Sequence, residues 1–360
     1  MKFYCLDPQN PLWMEALAGV RHDVYHLPNY IAIESRRTHT TGEAFVAIDG
    51  DRIFFVPYLI RNCQELFPSL DTDSTFDIVS PYGYPGIILS DAAQEDPEFV
   101  CAALEGLTQT LQQKKICSAF LRMHPILGEH FAQSQHCDLL VDNGTTVSIN
   151  LHLSEAEIWA HTRKGHQSSI NKCKRMGFEA SIVPVQDYFD EFLAIYQDTM
   201  HRVSAQEFYF FDSDYFNGLM SLGDKLHLCI VQQAEQVVSA LFLFECCGIV
   251  QAHLGGTKTE FLSQSPFMAA LNHARYWAKE RGNELMHIGG GIGGSDQDSL
   301  FKFKSGFSRQ RHAFFTLRLV IDPDVYHQLI GLRAQMFQVP PETFHSSEFF
   351  PAYRAKPVLN

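Results

Sequence analysis

Two windows of the chain concentrate cations. His161 to Phe178 holds Arg163, Lys164, Lys172, Lys174 and Arg175 without an acid, and Lys302 to Arg311 holds Lys302, Lys304, Arg309 and Arg311, again without one. Such groups suit anion chemistry: phosphate neutralisation, or, for a lysine fixed in place, stabilisation of a developing oxyanion. The chain as a whole carries −13, so these are local anion sites on an acidic body, not a coating for nonspecific nucleic-acid binding. Taken singly, each window also reads as a solvated helix or loop face. Just before the second window stand Asp296 and Asp298, placed either to take a proton from an attacking amine or to serve as turn and cap residues. The triplet from Lys302 to Lys304 has a strand alternative, with Phe303 inward and both lysines outward.

Other chemistry-bearing residues are weaker signals. The run Gly289–Gly294 follows an expected strand, as phosphate-cradling loops do, but lacks the GxxxxGK[ST] order, and no helix clearly opens at its end. A loop that needs positive φ angles is the simpler reading. His22 and His26 have the i, i+4 spacing of a zinc pair on a helix, yet two histidines alone do not make a site, and no metal is expected. The nine cysteines are scattered without a CxxC pair, as in a reducing compartment. Among them Cys173, flanked by lysines, is the thiol whose ionised form the neighbouring charges would favour. Tyr82, Tyr84 and Tyr209 suit the positioning of a sugar or peptide, or equally a buried ring with a satisfied hydroxyl.

Elements to hold these groups can be read from periodicity. In the first half, strands at Ile53–Ile60 and Asp77–Val79 precede a helix from Asp96 to about Lys114 and a strand Ile116–Met123. In the second, strands Leu226–Gln232, Val237–Glu245 and Ile249–Leu254 precede a helix from Ser265 to Arg281, with Ser265 as its cap and Gly282 as its stop, then a strand Glu284–Ile288. The basic window at 163–175 is itself a helix ending at Gly177, and Ser154-x-x-Glu157 has capping-box spacing. Strands, then a helix, then a strand, met twice, predicts two similar α/β lobes with mixed sheets. Their boundary is placed at 144/145, the first lobe being completed by 323–360 and the second covering 145–322.

Three segments, in order and spacing, carry a resemblance: RKGHQSSINKCKRMGF from Arg163, YQDTMHRVSAQEFYFF from Tyr196, which includes Arg202 and Tyr209, and HIGGGIGGSDQDSLFKFKSGF from His287. SPYGYPG from Ser80 and HDVYHLPNY from His22 fit the same pattern. The chain thus resembles, over about Arg21 to Val320, the FemABX family of peptidoglycan-bridge aminoacyltransferases and their relatives in the GNAT superfamily. That resemblance implies tandem GNAT-like lobes with mixed sheets flanked by helices. It also implies acyl or aminoacyl transfer from acyl-CoA or aminoacyl-tRNA to an amine of a cell-wall or surface-polysaccharide precursor.

The Phe-Lys pair of the family maps to Phe303 and Lys304, next to the donor's terminal adenosine and reacting carbonyl, with Asp296 as a candidate proton acceptor. Arg163, Lys172, Lys174, Arg202, Tyr82, Tyr84 and Tyr209 become candidate substrate contacts. The chain departs from the bridge enzymes at Ala205, where they place an arginine four residues before the tyrosine matching Tyr209. That removes a cation for a lipid-linked pyrophosphate. The GNAT pyrophosphate loop is not evident either.

Composition bounds the rest. A chain of 360 residues, 46% hydrophobic, is long enough for two cores. The N-terminus lacks an apolar signal region, and the most apolar stretch, Val237 to Val250, is too short to span a bilayer. The expectation is a cytoplasmic transferase without a tightly bound cofactor. Its partners would be an amine acceptor, the tRNA acceptor end and the inner leaflet touched peripherally. The rival reading is a non-catalytic module that binds an envelope precursor through the same cleft.

Overall fold

The computed structural model describes residues 1–67, 75–132, 139–292, 294, 297–345 and 349–357. By internal contacts the chain forms two compact units, Met1–Asn143 with Phe314–Asn360, and Gly144–Ala313. The first unit therefore takes back residues 314–322, which the sequence reading had assigned to the second lobe.

In the first unit the order is β1 (Lys2–Leu6), α1 (Pro11–Ala18), α2 (Pro28–Thr38), β2 (Thr41–Asp49), β3 (Arg52–Asn62), β4 (Phe76–Val79) and β5 (Ile88–Leu89). Next come α3 (Asp91–Gln94), α4 (Pro97–Gln113), β6 (Ile116–Arg122) and α5 (Glu129–Ala132). β7 (Leu140–Asn150) leads into the second unit. There α6 (Glu155–His161), α7 (Lys164–Arg175), β8 (Phe178–Val183), α8 (Phe189–Arg202), α9 (Ser213–Met220), β9 (Leu226–Gln233), β10 (Gln236–Cys246) and β11 (Ile249–Thr257) precede α10 (Phe267–Glu280), β12 (Leu285–Gly290) and α11 (Ser299–Lys304). β13 (Gln310–Val320) returns to the first unit, followed by α12 (Pro323–Phe337) and α13 (Glu342–His345).

The two units repeat one topology. The first orders its strands β1-β2-β3-β4-β6-β13, and the second β8-β9-β10-β11-β12-β7. In each, a single parallel pair, β4 with β6 or β11 with β12, is joined by a crossover helix, α4 or α10, and every other neighbour on these paths is antiparallel. A parallel pair needs such a crossover. The sixth strand of each unit is supplied out of turn: β7 follows the first unit in sequence but pairs with β12, and β13 follows the second but pairs with β6.

The helices start where local chemistry dictates. Asp96 Oδ1 accepts from Phe99 N at 3.0 Å and Pro97 opens α4. Ser154 and Glu157 form the capping box of α6. α4 lays Val100, Ala103, Leu104, Leu107 and Leu111 into a core shared with β2, β3 and β6. α10 lays Ala270, Leu271, Ala274 and Ala278 against β10, β11 and β12.

Two expectations fail at the ends of elements. Ser265 does not cap α10; it takes a left-handed φ of 57°, and Pro266 is the residue before the first turn. β11 runs on through Gly255-Gly256 to Thr257, because those glycines admit close neighbours on both faces. A Cβ on Gly255 would meet the Phe267 ring at 2.8 Å, and one on Gly256 would meet Thr199 Oγ1 at 2.2 Å. Among the described residues no helix is long and apolar enough to cross a membrane.

Candidate active site

The site begins at a split between parallel strands. β11 and β12 pair only at Ile249–Leu285, Val250–Met286 and Gln251–His287. Beyond that point both strands continue, β11 for six residues and β12 for three, without a shared ladder. The equivalent pair in the first unit stays closed: β4 and β6 remain in register to Val79–Phe120, and Ser80 N adds a bond to Phe120 O at 2.9 Å. A crevice at the carboxyl ends of parallel strands is where ligands enter open α/β sheets, and here only the second unit opens one among its described residues.

Lys304 stands at the end of β12, beyond the point where that strand pairs with β11. Its ammonium donates to the carbonyl oxygen of Gly290, the last residue of the strand, at 2.8 Å. Burial pushes its pKa down to about 8, with the carboxylate of Asp298 acting in the opposite direction. A lysine desolvated in this way remains mostly charged at neutral pH and has a stronger local field than one in water.

The residues before it form a helix, not the strand that their alternation allowed. Asp298 Oδ1 accepts from Phe301 N at 2.8 Å and from Ile292 N at 3.1 Å, so it starts α11 and ties down the glycine loop. These backbone donors, Phe301 first, hold its carboxyl below the usual range, which makes it a cap and a poor proton acceptor. Asp296 lies outside the described residues. The loop uses its glycines as expected at Gly289 and Gly294, whose φ values are 75° and 72°.

α11 is held in place by α7. His166 Nε2 donates to Phe303 O at 2.7 Å, Arg163 N donates to Gly306 O at 2.8 Å, and the Arg163 guanidinium donates to Lys302 O and Ser305 Oγ, both at 3.1 Å. Burial holds the His166 pKa below its ordinary value, so the ring is a neutral donor. A Cβ on Gly306 would meet His166 Nε2 at 2.2 Å, which explains the glycine. Phe303 packs on the rings of His166, Phe307 and Phe267 at 5.7, 5.6 and 6.2 Å. Arg311 also binds here, donating to Ser305 O at 3.2 Å with its guanidinium 5.8 Å from the Phe301 ring. Arg163 of the first basic window and Arg311 of the second thus both bind the short helix that carries Lys302 and Lys304.

The remaining candidates scatter. Lys172 and Lys174 are exposed on α7, and Lys174 lines a separate cavity. Arg202 binds Thr257 O at 3.1 Å and Thr259 Oγ1 at 3.2 Å, stapling α8 to the end of β11. Tyr209 is 39% exposed, and its carbonyl accepts from the Tyr196 hydroxyl at 2.8 Å.

Tyr82 and Tyr84 belong to the first unit. Tyr82 N donates to Glu34 Oε2 at 2.9 Å, and Tyr84 packs edge-on against Phe314 at 5.3 Å. The His22–His26 pair is not helical. His26 ends a three-residue 3-10 turn, with its Nδ1 accepting from Asp23 N at 3.1 Å and its pKa pushed by burial to about 3. Cys173 is buried, and desolvation raises its thiol against the pull of Lys172, so the expected activation is absent. His166 and the buried Arg275 were not singled out in the sequence. The signal for Arg275 was an arginine on the apolar face of α10.

No protein-family model matches the sequence, and no curated protein matches it. Solved structures do. FemX aligns with a TM-score of 0.68 over 91% of this chain and 99% of its own, at 12% identity. The C-terminal domain of a putative lysylphosphatidylglycerol synthetase from Agrobacterium fabrum aligns at 0.53 over 84% of this chain and 90% of its own, at 15% identity. L-PGS from Bacillus licheniformis aligns at 0.53 over 86% and 91%, at 12% identity. With its tandem topology, the chain has the fold of FemX.

Proposed function

We propose that the chain transfers an acyl or aminoacyl group from an activated donor, acyl-CoA or aminoacyl-tRNA, to an amine of a cell-wall or surface-polysaccharide precursor. The carrying observation is the desolvated Lys304 ammonium on Gly290 at the split of β11 and β12. An amine attacking the donor carbonyl places negative charge on its oxygen. Of the three N–H bonds of the ammonium, Gly290 takes one among the described residues, which leaves two for that oxyanion. Collapse of the tetrahedral adduct expels the thiolate of CoA or the ribose oxygen of tRNA, and that leaving group takes up the proton that the attacking nitrogen loses.

Convergence of Arg163, Lys302, Lys304 and Arg311 around α11 supports the more strongly anionic donor, aminoacyl-tRNA. The likeness to a putative lysylphosphatidylglycerol synthetase supports an aminoacyl group in the same way. Arg163, Phe303 and Lys304 are assigned to donor binding and catalysis in the second unit, which is read as the catalytic lobe; Tyr82, Tyr84 and Tyr209 remain candidates for the acceptor.

The test is calorimetric titration of the full chain with acetyl-CoA and with a charged tRNA, followed by transfer assays with Lys304→Ala. Donor binding together with loss of transfer in the variant supports the reading. Absence of both donors' binding, or acceptor binding and unchanged product in Lys304→Ala, sinks it.

A further inference from the structure

The second unit holds a cavity of about 730 Å³ that shares no residue with α11 or the glycine loop. Its volume is within the roughly 300–1,000 Å³ typical of small-molecule sites. Three aromatic side chains, Trp159, Tyr276 and Trp277, form part of its wall, and Asn171, Asn272 and Glu280 add polar groups. We propose that this cavity binds a neutral pyranose sugar, a hexose or N-acetylhexosamine unit, independently of the transfer chemistry at Lys304.

The orientation of Asn272 is the central observation. It is 7% exposed, and its Oδ1 accepts from the Arg275 guanidinium at 2.7 Å. Arginine only donates, so the side-chain oxygen must face it and the two N–H groups of the amide are turned elsewhere. Asn272 lines the cavity, which makes those donors available to a ligand.

Arg275 is fully buried, and among the described residues no carboxylate pairs with it. Its charge is held by Thr162 Oγ1 at 2.7 Å and by the rings of Tyr276 at 5.0 Å and Trp159 at 5.9 Å. One buried guanidinium thereby fixes an amide and two aromatic rings of the same wall. A wall set before binding loses little entropy on binding.

The lining selects among ligands. Glu155 and Glu280 disfavour phosphates, and Lys174 with the charge of Arg275 behind the wall disfavours cationic peptides. Aromatic rings beside amide donors and carboxylate acceptors match a molecule with apolar C–H faces and an equator of hydroxyls. A pyranose has both.

Tryptophan emission can read this directly, because the chain has 3 tryptophans, two of them line the cavity, and Trp13 is fully buried in the other unit. The full chain is titrated with N,N′-diacetylchitobiose and with cellobiose, and with a dilysine peptide as the opposing probe. The expected result is a saturable shift with at least one sugar, weakened about tenfold by Tyr276→Ala or Trp159→Ala. Asn171→Arg, a change on the exposed face of α7, blocks the same shift without touching the core. Lys304→Ala leaves it unchanged, so failure here is distinct from failure of the transfer reading. No saturable shift with either sugar, a shift that survives Asn171→Arg, or saturation by dilysine alone overturns the proposal.

Discussion

The imidazole of His166, on α7, donates to the backbone carbonyl of Phe303, on α11, across 2.7 Å. It is a neutral donor on a rigid helix, and the residue it grips immediately precedes the proposed catalytic lysine. The position of Lys304 is therefore set from α7, with Arg163 fixing the carbonyls on either side.

Removing that grip should slow transfer without unfolding the unit. His166→Ala is expected to lower kcat about 100-fold with little change in donor KM, since a small displacement of a catalytic group has an effect of that size. His166→Gln, which keeps a donor, should recover part of the loss. Steady-state kinetics on both variants checks this, and equal kcat in all three proteins would refute the positioning role.

Lys304→Ala should reduce kcat by about 10²–10³, the effect of losing one oxyanion donor. In the native chain the ammonium deprotonates near its lowered pKa of about 8, so activity should fall as pH rises through that value. Lys304→Arg keeps its charge, and whatever rate it retains should show no alkaline limb there. A pH–rate profile of both proteins is the measurement.

The same lysine should be a burden on stability. Below pH about 8 it is charged in both folded and unfolded chains, and the folded state bears the desolvation. Between about 8 and 10.5 the unfolded chain binds more protons, so this contribution favours folding more as pH rises. Lys304→Met is thus expected to stabilise the protein at pH 7, by at most about 3 kcal/mol, and the gain should vanish by about pH 10.5. Denaturant melts at the two pH values test it.

In the first unit, His26 is neutral when folded, its pKa pushed to about 3 from 6.5. As pH falls from 6.5 towards 3 the unfolded chain takes up a proton that the folded one refuses, and stability declines by about 1.4 kcal/mol per pH unit at most. His26→Leu should remove that one-proton slope from the acid limb. Melts at several pH values between these limits would show whether it does.

Much of the scaffold could be read before the structure. α4 announced itself through Asp96, Pro97 and its apolar spacing, and α6 through Ser154 and Glu157, because caps and periodicity are local signals. α11 escaped because six residues are too few to show a helical period, and alternating Lys302, Phe303 and Lys304 imitates a strand. His166 escaped for a different reason: its partner is a carbonyl 137 positions away, and backbone atoms leave no mark in a sequence. Cys173 misled, since flanking lysines on a helix point away from the face that buries it. The split between β11 and β12 was equally hidden, as nothing in either strand's composition says where a ladder stops.

The exchanged sixth strands bear on the order in which the chain can be finished as it is made. β6 offers Ser118–Arg122 as a pairing edge, but the strand that covers it emerges only with residues 316–320, after the whole second unit. A ribosome therefore carries the first sheet with one raw edge for most of translation, and an edge of that kind invites foreign strands. Truncations ending anywhere before β13 would keep that edge permanently, and circular permutants that join β13 directly after β6 would close it early.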